Sequence, residues 1–203
     1  DADEPLLSAI EMLALRLGED GTQAYLARCV RAARALDALP DDLEAALLDQ
    51  LDLPNGDVET VLAERCVDAA FPVALLRQIA TANAAWGAKS GLETADRIAA
   101  WLAAAPQARA EGLDELCSAL LTREGEVKNR NRDKLLAAAP DYVALATACG
   151  EAIRALVDLR RHVAFARLAA RGLHAGRAYA RAYAQAKRQA GAVDFDDLIG
   201  HAS

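Results

Sequence analysis

The chain has 203 residues, of which 54% are hydrophobic and only 4% aromatic, and its formal net charge is −7 at pH 7. Taken whole, this acidic charge argues against nucleic acid as a partner. The sequence contains no uncharged apolar run of 18 residues, so we expect no membrane span. It does not start with a basic segment followed by an apolar stretch and small residues, so we expect no signal peptide.

Composition also predicts the fold class. Ala and Leu supply most of the hydrophobic residues and lead the helix-propensity scale, whereas the β-branched and aromatic residues that suit strands are scarce. A chain of this length buries roughly two-thirds of its unfolded surface, so a core can form without disulfides or metals. We therefore predict an all-α, multi-helix fold with a long C-terminal helical arm.

The four cysteines show no metal-site spacing. They lie more than thirty residues apart and form no C-x-x-C pair, so a zinc site is not expected. Each has apolar neighbours in a helical stretch. We interpret Cys29, Cys66, Cys117 and Cys149 as buried free thiols of a cytoplasmic protein.

Amphipathic helices are predicted from the start of the chain. Apolar residues recur at helical spacing over 6–17, and Gly18 and Gly21 should end that first helix. The same spacing over about 25–36 predicts a second helix that ends before Pro40.

Capping residues predict the next helices. Asp41, with Glu44 three residues later, should begin a helix that ends near residue 51, and Asp57 should begin one that ends near residue 70. Pro72 suits the first turn of the following helix. Ser90 and Glu93 fit a capping box for a helix that stops near residue 106.

The remaining chain contains one short helix, one loop and one long helical pattern. Residues 113–121 predict the short helix, and 122–132 have almost no apolar period, which indicates an exposed loop or small hairpin. From Pro140 to Gly191, apolar residues recur every three or four positions. This pattern predicts one long helix, or two separated near residues 172–176, and fifty helical residues would span roughly 75 Å.

Charge is unevenly distributed along the sequence. Residues 1–127 carry 23 acidic and 10 basic side chains, a net charge of −13, whereas residues 128–203 carry 7 acidic and 13 basic, a net charge of +6. Segments of opposite sign suggest different neighbours for the two parts. We therefore predict an acidic helical part over 1–127 and a basic loop and arm over 128–192.

Catalytic motifs are not evident in the sequence. Gly87-Ala88-Lys89-Ser90 lacks the Gly-Lys pair and the upstream strand of a phosphate-binding loop. No His pair and no nucleophile motif is present. The carboxylates of Asp194-Phe195-Asp196-Asp197 could serve metal chemistry, but Asp194 as a helix cap is the favoured interpretation. We expect the chain itself to be catalytically inactive and to bind no cofactor or metal.

One segment resembles a known family. The run over 183–199 ends in Val193-Asp194-Phe195-Asp196-Asp197-Leu198-Ile199. It is similar to a signature of UvrD-like superfamily 1 helicases, in which a helix ending in Tyr-x-x-x-Lys and a Gly leads into a Leu/Val-Asp-Phe-Asp-Asp-Leu-Ile box. The stretch over 120–128 resembles the Leu-Thr-Lys-x-Gly-x-x-Arg segment of the AddA branch, and the helix over 90–102 also looks like AddA proteins.

The resemblance implies a place in a larger protein. The chain would be a fragment covering subdomain 1B of an AddA-type double-strand break repair helicase–nuclease, and 193–203 would begin the return into the first RecA-like domain. ATP and Mg would belong to the parent protein, and the partners would be DNA, as a duplex end or single strand, an AddB-type subunit and the remaining AddA domains. We expect the tail from Val193 onward to be poorly anchored without that RecA-like domain.

These expectations lead to a candidate DNA-contacting surface in the basic part. Such contacts would be weak, sequence-blind and carried by phosphates. The two alternatives are a helical protein-interaction module without DNA binding and, less favoured, an independent enzyme. The candidate DNA-binding residues are Lys128, Arg130, Arg132, Lys134, Arg160, Arg161, Arg167, Arg171, Arg177 and Arg181.

Overall fold

The computed structural model describes residues 4–191, and it confirms the all-α prediction. Within that range, ten α-helices account for the regular structure, and one isolated antiparallel bridge joins Leu121 and Val127. No helix in the described range is long and apolar enough to cross a membrane. The box over 194–197 and the rest of the predicted tail lie outside the described residues.

The chain divides into two compact units. Unit 1 comprises residues 1–52 and 165–203, and unit 2 comprises the continuous segment 53–164. The predicted boundary between residues 127 and 128 therefore falls inside unit 2. The longest helix, α10, runs over Tyr142–Gln189 and contributes residues to both units.

Unit 2 has a core of leucine, isoleucine and one tyrosine. Leu76 and Ile79 are completely buried, as are Leu113 and Ile153, and Tyr142 is nearly so. Besides the start of α10, its helices are α4 (Val58–Arg65), α5 (Val73–Trp86), α6 (Lys89–Ala103), α7 (Pro106–Glu111), α8 (Leu113–Leu120) and α9 (Asp133–Ala138). Helices α7 and α9 have only six residues each, too short for the apolar period to reveal them in the sequence.

The helices α5 and α6 form a close antiparallel pair. Gly87 ends α5 in the left-handed conformation at φ 69°, which a side chain would strain. Because the chain reverses there, α6 begins at Lys89, and Ser90 lies inside the helix. The predicted capping box at Ser90 is therefore wrong, since the N-cap is Ala88 and makes no side-chain cap.

Other caps are close to their predicted positions. Asp57 accepts a hydrogen bond from the Thr60 amide at 3.1 Å and caps α4, as predicted, but that helix ends at Arg65 and not near residue 70. Asp42, one residue after the predicted Asp41, caps α3 by accepting from the Ala45 amide at 2.9 Å.

Unit 1 contains α1 (Glu4–Arg31), α2 (Ala33–Asp37), α3 (Leu43–Gln50) and the C-terminal part of α10. Gly18, at φ 72° and ψ 174°, kinks α1 where the sequence predicted its end, whereas Gly21 does not interrupt it. One core cluster joins Leu13 and Leu26 of α1 to Ala175 of α10, with Tyr25 and Tyr179 packed against it.

Two glycines of α10 serve close packing and do not break the helix. The Tyr25 hydroxyl donates to the Gly172 carbonyl at 2.8 Å, and a Cβ on Gly176 would lie 2.5 Å from the Cys29 sulfur. The helix is therefore continuous across 172–176, the first of the two predicted alternatives. It ends at Gln189, and Gly191 follows at φ 67°.

Candidate nucleic-acid interface

The predicted basic loop is a short hairpin-like turn between α8 and α9. The Leu121–Val127 bridge closes it, with the Thr122 amide donating to the Glu126 carbonyl at 2.8 Å and the Lys128 amide donating to the Leu120 carbonyl at 2.8 Å. These bonds give the loop a defined backbone conformation, in agreement with the predicted loop or small hairpin.

Side chains anchor this loop, defined as residues 121–134, to the helices around it. The ammonium group of Lys128 donates to the Ser118 carbonyl of α8, and Arg154 of α10 donates to the Gly125 carbonyl at 3.0 Å. The buried Tyr142 hydroxyl lies 3.3 Å from the Asn83 amide nitrogen and 3.5 Å from the Lys128 carbonyl. One predicted DNA contact, Lys128, is thus engaged in holding the loop.

The other three predicted loop cations lie at the surface. Arg130 pairs with Glu126 at 2.7 Å, and both side chains are about half exposed. Arg132 and Lys134 are exposed, and no ion pair holds either of them among residues 4–191. Arg123, which the sequence analysis did not select, is exposed in the same loop. Its position in a predicted loop was the signal that could have identified it.

The two predicted contacts of α10 within unit 2, Arg160 and Arg161, face carboxylates. Arg160 makes a bidentate pair with Glu59, with both distances 2.8 Å, and donates to the Ala110 carbonyl at 2.7 Å. Arg161 lies 3.9 Å from Asp114 and 3.6 Å from Asp158, with an exposed side chain. The geometry at Arg160 leaves little freedom for a phosphate.

Within unit 1, three more predicted arginines have protein partners. Arg167 lies 3.0 Å from Glu44, and Arg181 lies 2.6 Å from Asp37. Arg177 is buried and donates to the Leu39 and Pro40 carbonyls at 3.2 and 3.0 Å. Its hydrogen bonds therefore stabilise the turn between α2 and α3.

Arg171 is the exception among the predicted arginines of α10. Its side chain is exposed, and no hydrogen bond or ion pair holds it in the described part of the chain. Arg130, Arg132 and Lys134 thus lie close together in sequence between the end of α8 and the first turn of α9, whereas most of the predicted α10 arginines contact carboxylates or carbonyls.

The tyrosines that could stack on bases are only partly available. Tyr179 and Tyr183 of α10 stack on each other, with ring centroids 6.4 Å apart, and Tyr179 also packs against the unit 1 core cluster. Tyr183 is 46% exposed. This arrangement favours a packing role for Tyr179 over a nucleic-acid role.

Thiol and metal chemistry receive no positive support from the geometry. Burial raises the pKa of Cys66 to about 11 and that of Cys149 to about 12, so both sulfurs are protonated thiols near neutral pH. Among residues 4–191, no group of three or more His, Cys, Asp or Glu side chains is arranged to hold a metal ion.

Comparison of the chain with protein-family models, with curated proteins and with solved structures gives no match.

Proposed function

We propose that this chain is a DNA-contacting accessory module of an ATP-dependent helicase–nuclease of AddA type, acting in double-strand break repair and recombination. The sequence support is the box over 193–199 and the stretch over 120–128. The observation that carries the proposal is the anchored loop of residues 121–134, which exposes Arg123, Arg132 and Lys134 together.

The exposed cations of the loop contact phosphates. Residues 128–134 contain four cations and one carboxylate, a net charge of +3. The bridge and Arg154 fix the backbone over 121–127, and the Arg132 amide donates to the Asn129 carbonyl at 3.1 Å in the cationic segment. Such local bonds lower the entropy cost of presenting the cations. Contacts of this kind gain affinity from counterion release, so binding is sequence-blind, with a dissociation constant in the nonspecific range of about 10⁻⁴–10⁻⁶ M.

The α10 arginines have a structural role in this proposal. Arg160, Arg167 and Arg181 hold α10 against carboxylates of preceding helices, and Arg177 binds backbone carbonyls. Of the predicted α10 arginines, Arg171 and the more weakly paired Arg161 remain as additional phosphate contacts. ATP and Mg²⁺ would bind other domains of the parent helicase, and an AddB-type subunit would be its partner.

The proposal is tested by titrating a labelled duplex with a single-strand tail at two salt concentrations. The loop variant is Arg130→Ala, Arg132→Ala and Lys134→Ala together. The matched control is Arg28→Ala, Arg31→Ala and Arg34→Ala, which removes the same charge from exposed positions of unit 1.

We expect the wild-type affinity to fall steeply with salt, with about 0.9 in the logarithmic slope for each phosphate contacted. The loop variant should lose most of the affinity and about two to three units of slope, whereas the control should change little. A flat wild-type slope, or equal losses in the two variants, would contradict the proposed contact.

A protein-interaction module is the second candidate function. The observation favouring it is that most α10 arginines have intramolecular partners, which leaves many carboxylates and few cations at the surface. Under this alternative the loop variant retains all binding to a protein partner, and the wild-type chain shows no salt-dependent affinity for DNA.

A further inference from the structure

A cleft of about 210 Å³ lies beside the loop in unit 2. Leu121 and Val127 line it from the bridge, and Val143 lines it from α10. Gly150 of α10 also lines the cleft, and a Cβ there would lie 2.9 Å from a Leu121 methyl carbon. The glycine therefore lets the bridge approach α10 closely, and the three apolar side chains form only one part of the cleft, whose remaining lining is polar.

The polar groups of the cleft balance in charge. Arg130 and Arg154 supply two guanidinium groups, and Glu126 and Glu151 supply two carboxylates. Arg154 donates to the Gly125 carbonyl and Arg130 pairs with Glu126, but each guanidinium has five N–H donors, so several donors remain. Both hydrogen-bond donors and acceptors are thus available beside apolar surface.

This chemistry differs from that of the adjacent cations. Residues 128–134 carry a net charge of +3, which attracts phosphate, whereas the four charged groups of the cleft sum to zero. A neutral ring with donors and acceptors on its edge suits the cleft better than a bare anion. Carboxylates accept from base amino groups and arginine donates to base acceptors, as in direct readout of base edges.

The size also limits the ligand. Pockets for drug-sized molecules occupy about 300–1,000 Å³, so this cleft has room for a single ring system. In a duplex the base edges are paired and the faces are stacked, whereas an unpaired base can be splayed into a pocket.

We infer, on the basis of the proposed DNA contact, that this cleft takes one unpaired base of a single DNA strand whose phosphates lie on the loop. The cations would supply affinity for any DNA, and the cleft would supply a preference for single strands. Arg130 belongs to both features, since it lines the cleft and lies within the cationic segment.

The test fills the cleft and leaves the loop cations intact. Thr147 is an exposed residue of α10 that lines the cleft, and Ala148 is its exposed neighbour that does not. Thr147→Phe is the filling variant and Ala148→Phe the matched control. Fluorescence anisotropy of the full 203-residue chain compares a single-stranded 20-nucleotide probe with a blunt duplex of equal length.

We expect Thr147→Phe to lower single-strand affinity by about tenfold, the size of one base contact, and duplex affinity by less than about twofold. Ala148→Phe should leave both unchanged. If Thr147→Phe disturbs the helical circular dichroism, Thr147→Leu replaces it with the same expected selectivity.

Two results overturn the inference while leaving the proposed function standing. In the first, Thr147→Phe binds the single strand as tightly as the wild type does. In the second, it loses single-strand and duplex affinity equally. In either case the cleft is not a base site and is left to other ligands, such as a peptide side chain. If the wild-type chain binds neither probe, both the inference and the proposed function fail.

Discussion

Arg109, a residue of α7, illustrates how one side chain can organise several segments of unit 2. Its guanidinium donates to the Cys66 carbonyl at 3.0 Å, to Asp68 at 2.6 Å and to the Leu102 carbonyl, and it lies 5.2 Å from the centre of the Trp101 ring. The Trp101 indole donates in return to the Arg109 carbonyl at 2.8 Å. Hydrogen bonding from this guanidinium lowers the pKa of Asp68.

Arg109→Lys should destabilise unit 2 by about 2–3 kcal/mol. An ammonium group keeps the charge but cannot reach two carbonyls and a carboxylate from one plane, which leaves buried acceptors unsatisfied. Both tryptophans of the chain, Trp86 and Trp101, belong to unit 2, so unfolding followed by tryptophan fluorescence reports on that unit.

Arg77→Lys is the matched control for this prediction. Arg77 lies 3.7 Å from the same Asp68, but its side chain is 66% exposed. Exposed pairs contribute little to stability, so the control should unfold like the wild type. Equal destabilisation by the two variants would contradict the stabilising role assigned to the buried hydrogen bonds of Arg109.

At the scale of elements, the contact between α5 and α6 depends on the absence of a side chain. A Cβ on Gly91 would lie 2.7 Å from the Asn83 carbonyl oxygen and 2.7 Å from the Trp86 ring. The first of these atoms is backbone and cannot move without shifting α5. The close approach of the two helices therefore requires glycine at this position.

Gly91→Ala should destabilise the chain by about 1–3 kcal/mol, although the same change in an exposed helix stabilises by about 1 kcal/mol. Thermal unfolding followed by circular dichroism measures the difference in stability between Gly91→Ala and the wild type.

Ser90→Ala is the control, because the neighbouring Ser90 is exposed and lies inside α6. It should be neutral or slightly stabilising. If Ser90→Ala instead lost about 1 kcal/mol of stability, as expected on removing an N-cap, Ser90 would be the N-cap of α6 and Ala88 would not.

The elements show what periodicity could and could not predict. Apolar spacing correctly predicted the long helix α10 and the start of α8, and Asp57 was correctly predicted as the N-cap of α4. These features depend on residues that are close in sequence. The capping box at Ser90 failed because Gly87, a tertiary reversal point, moved the helix start. Gly172 and Gly176 do not break α10, because α1 packs closely there.

The candidate site was predictable only in part, because its tertiary contacts join residues that are far apart in sequence. The exposed loop around Arg132 and Lys134 follows from local composition. The partners of Arg160, Arg167 and Arg181 lie 101, 123 and 144 residues away in sequence, so a list of cations could not distinguish structural arginines from free ones. The cleft likewise depends on tertiary contacts between the loop and α10.

For the whole molecule, folding removes the charge asymmetry seen along the sequence. Unit 1 carries 15 acidic and 10 basic side chains, and unit 2 carries 15 acidic and 13 basic. The two units are thus both mildly acidic, because the arginines of α10 are shared between them. In each unit, some of these arginines pair with carboxylates of the preceding helices of that unit.

Residues 53–164, expressed alone, should fold into a helical domain that unfolds cooperatively. This segment is continuous in sequence and has its own buried core, and its 112 residues are a typical domain size. Circular dichroism and thermal unfolding provide the measurement.

Residues 1–52 are the control, since their core cluster requires Ala175 and Tyr179 from the absent segment. They should show little stable structure. A cooperative transition in 1–52, or none in 53–164, would contradict the division into these two units.

The discontinuity of unit 1 also has a consequence for the order of events at the ribosome. Residues 1–52 are synthesised first, but the segment that completes their core begins only after the 112 residues of unit 2 have been added. At about 5–20 residues per second, this delay lasts about 6–22 seconds. During that interval Leu13 and Leu26 lack Ala175, their partner in the core cluster. The nascent α1 therefore exposes apolar surface for that interval, and transiently exposed apolar surface is what chaperones protect from aggregation.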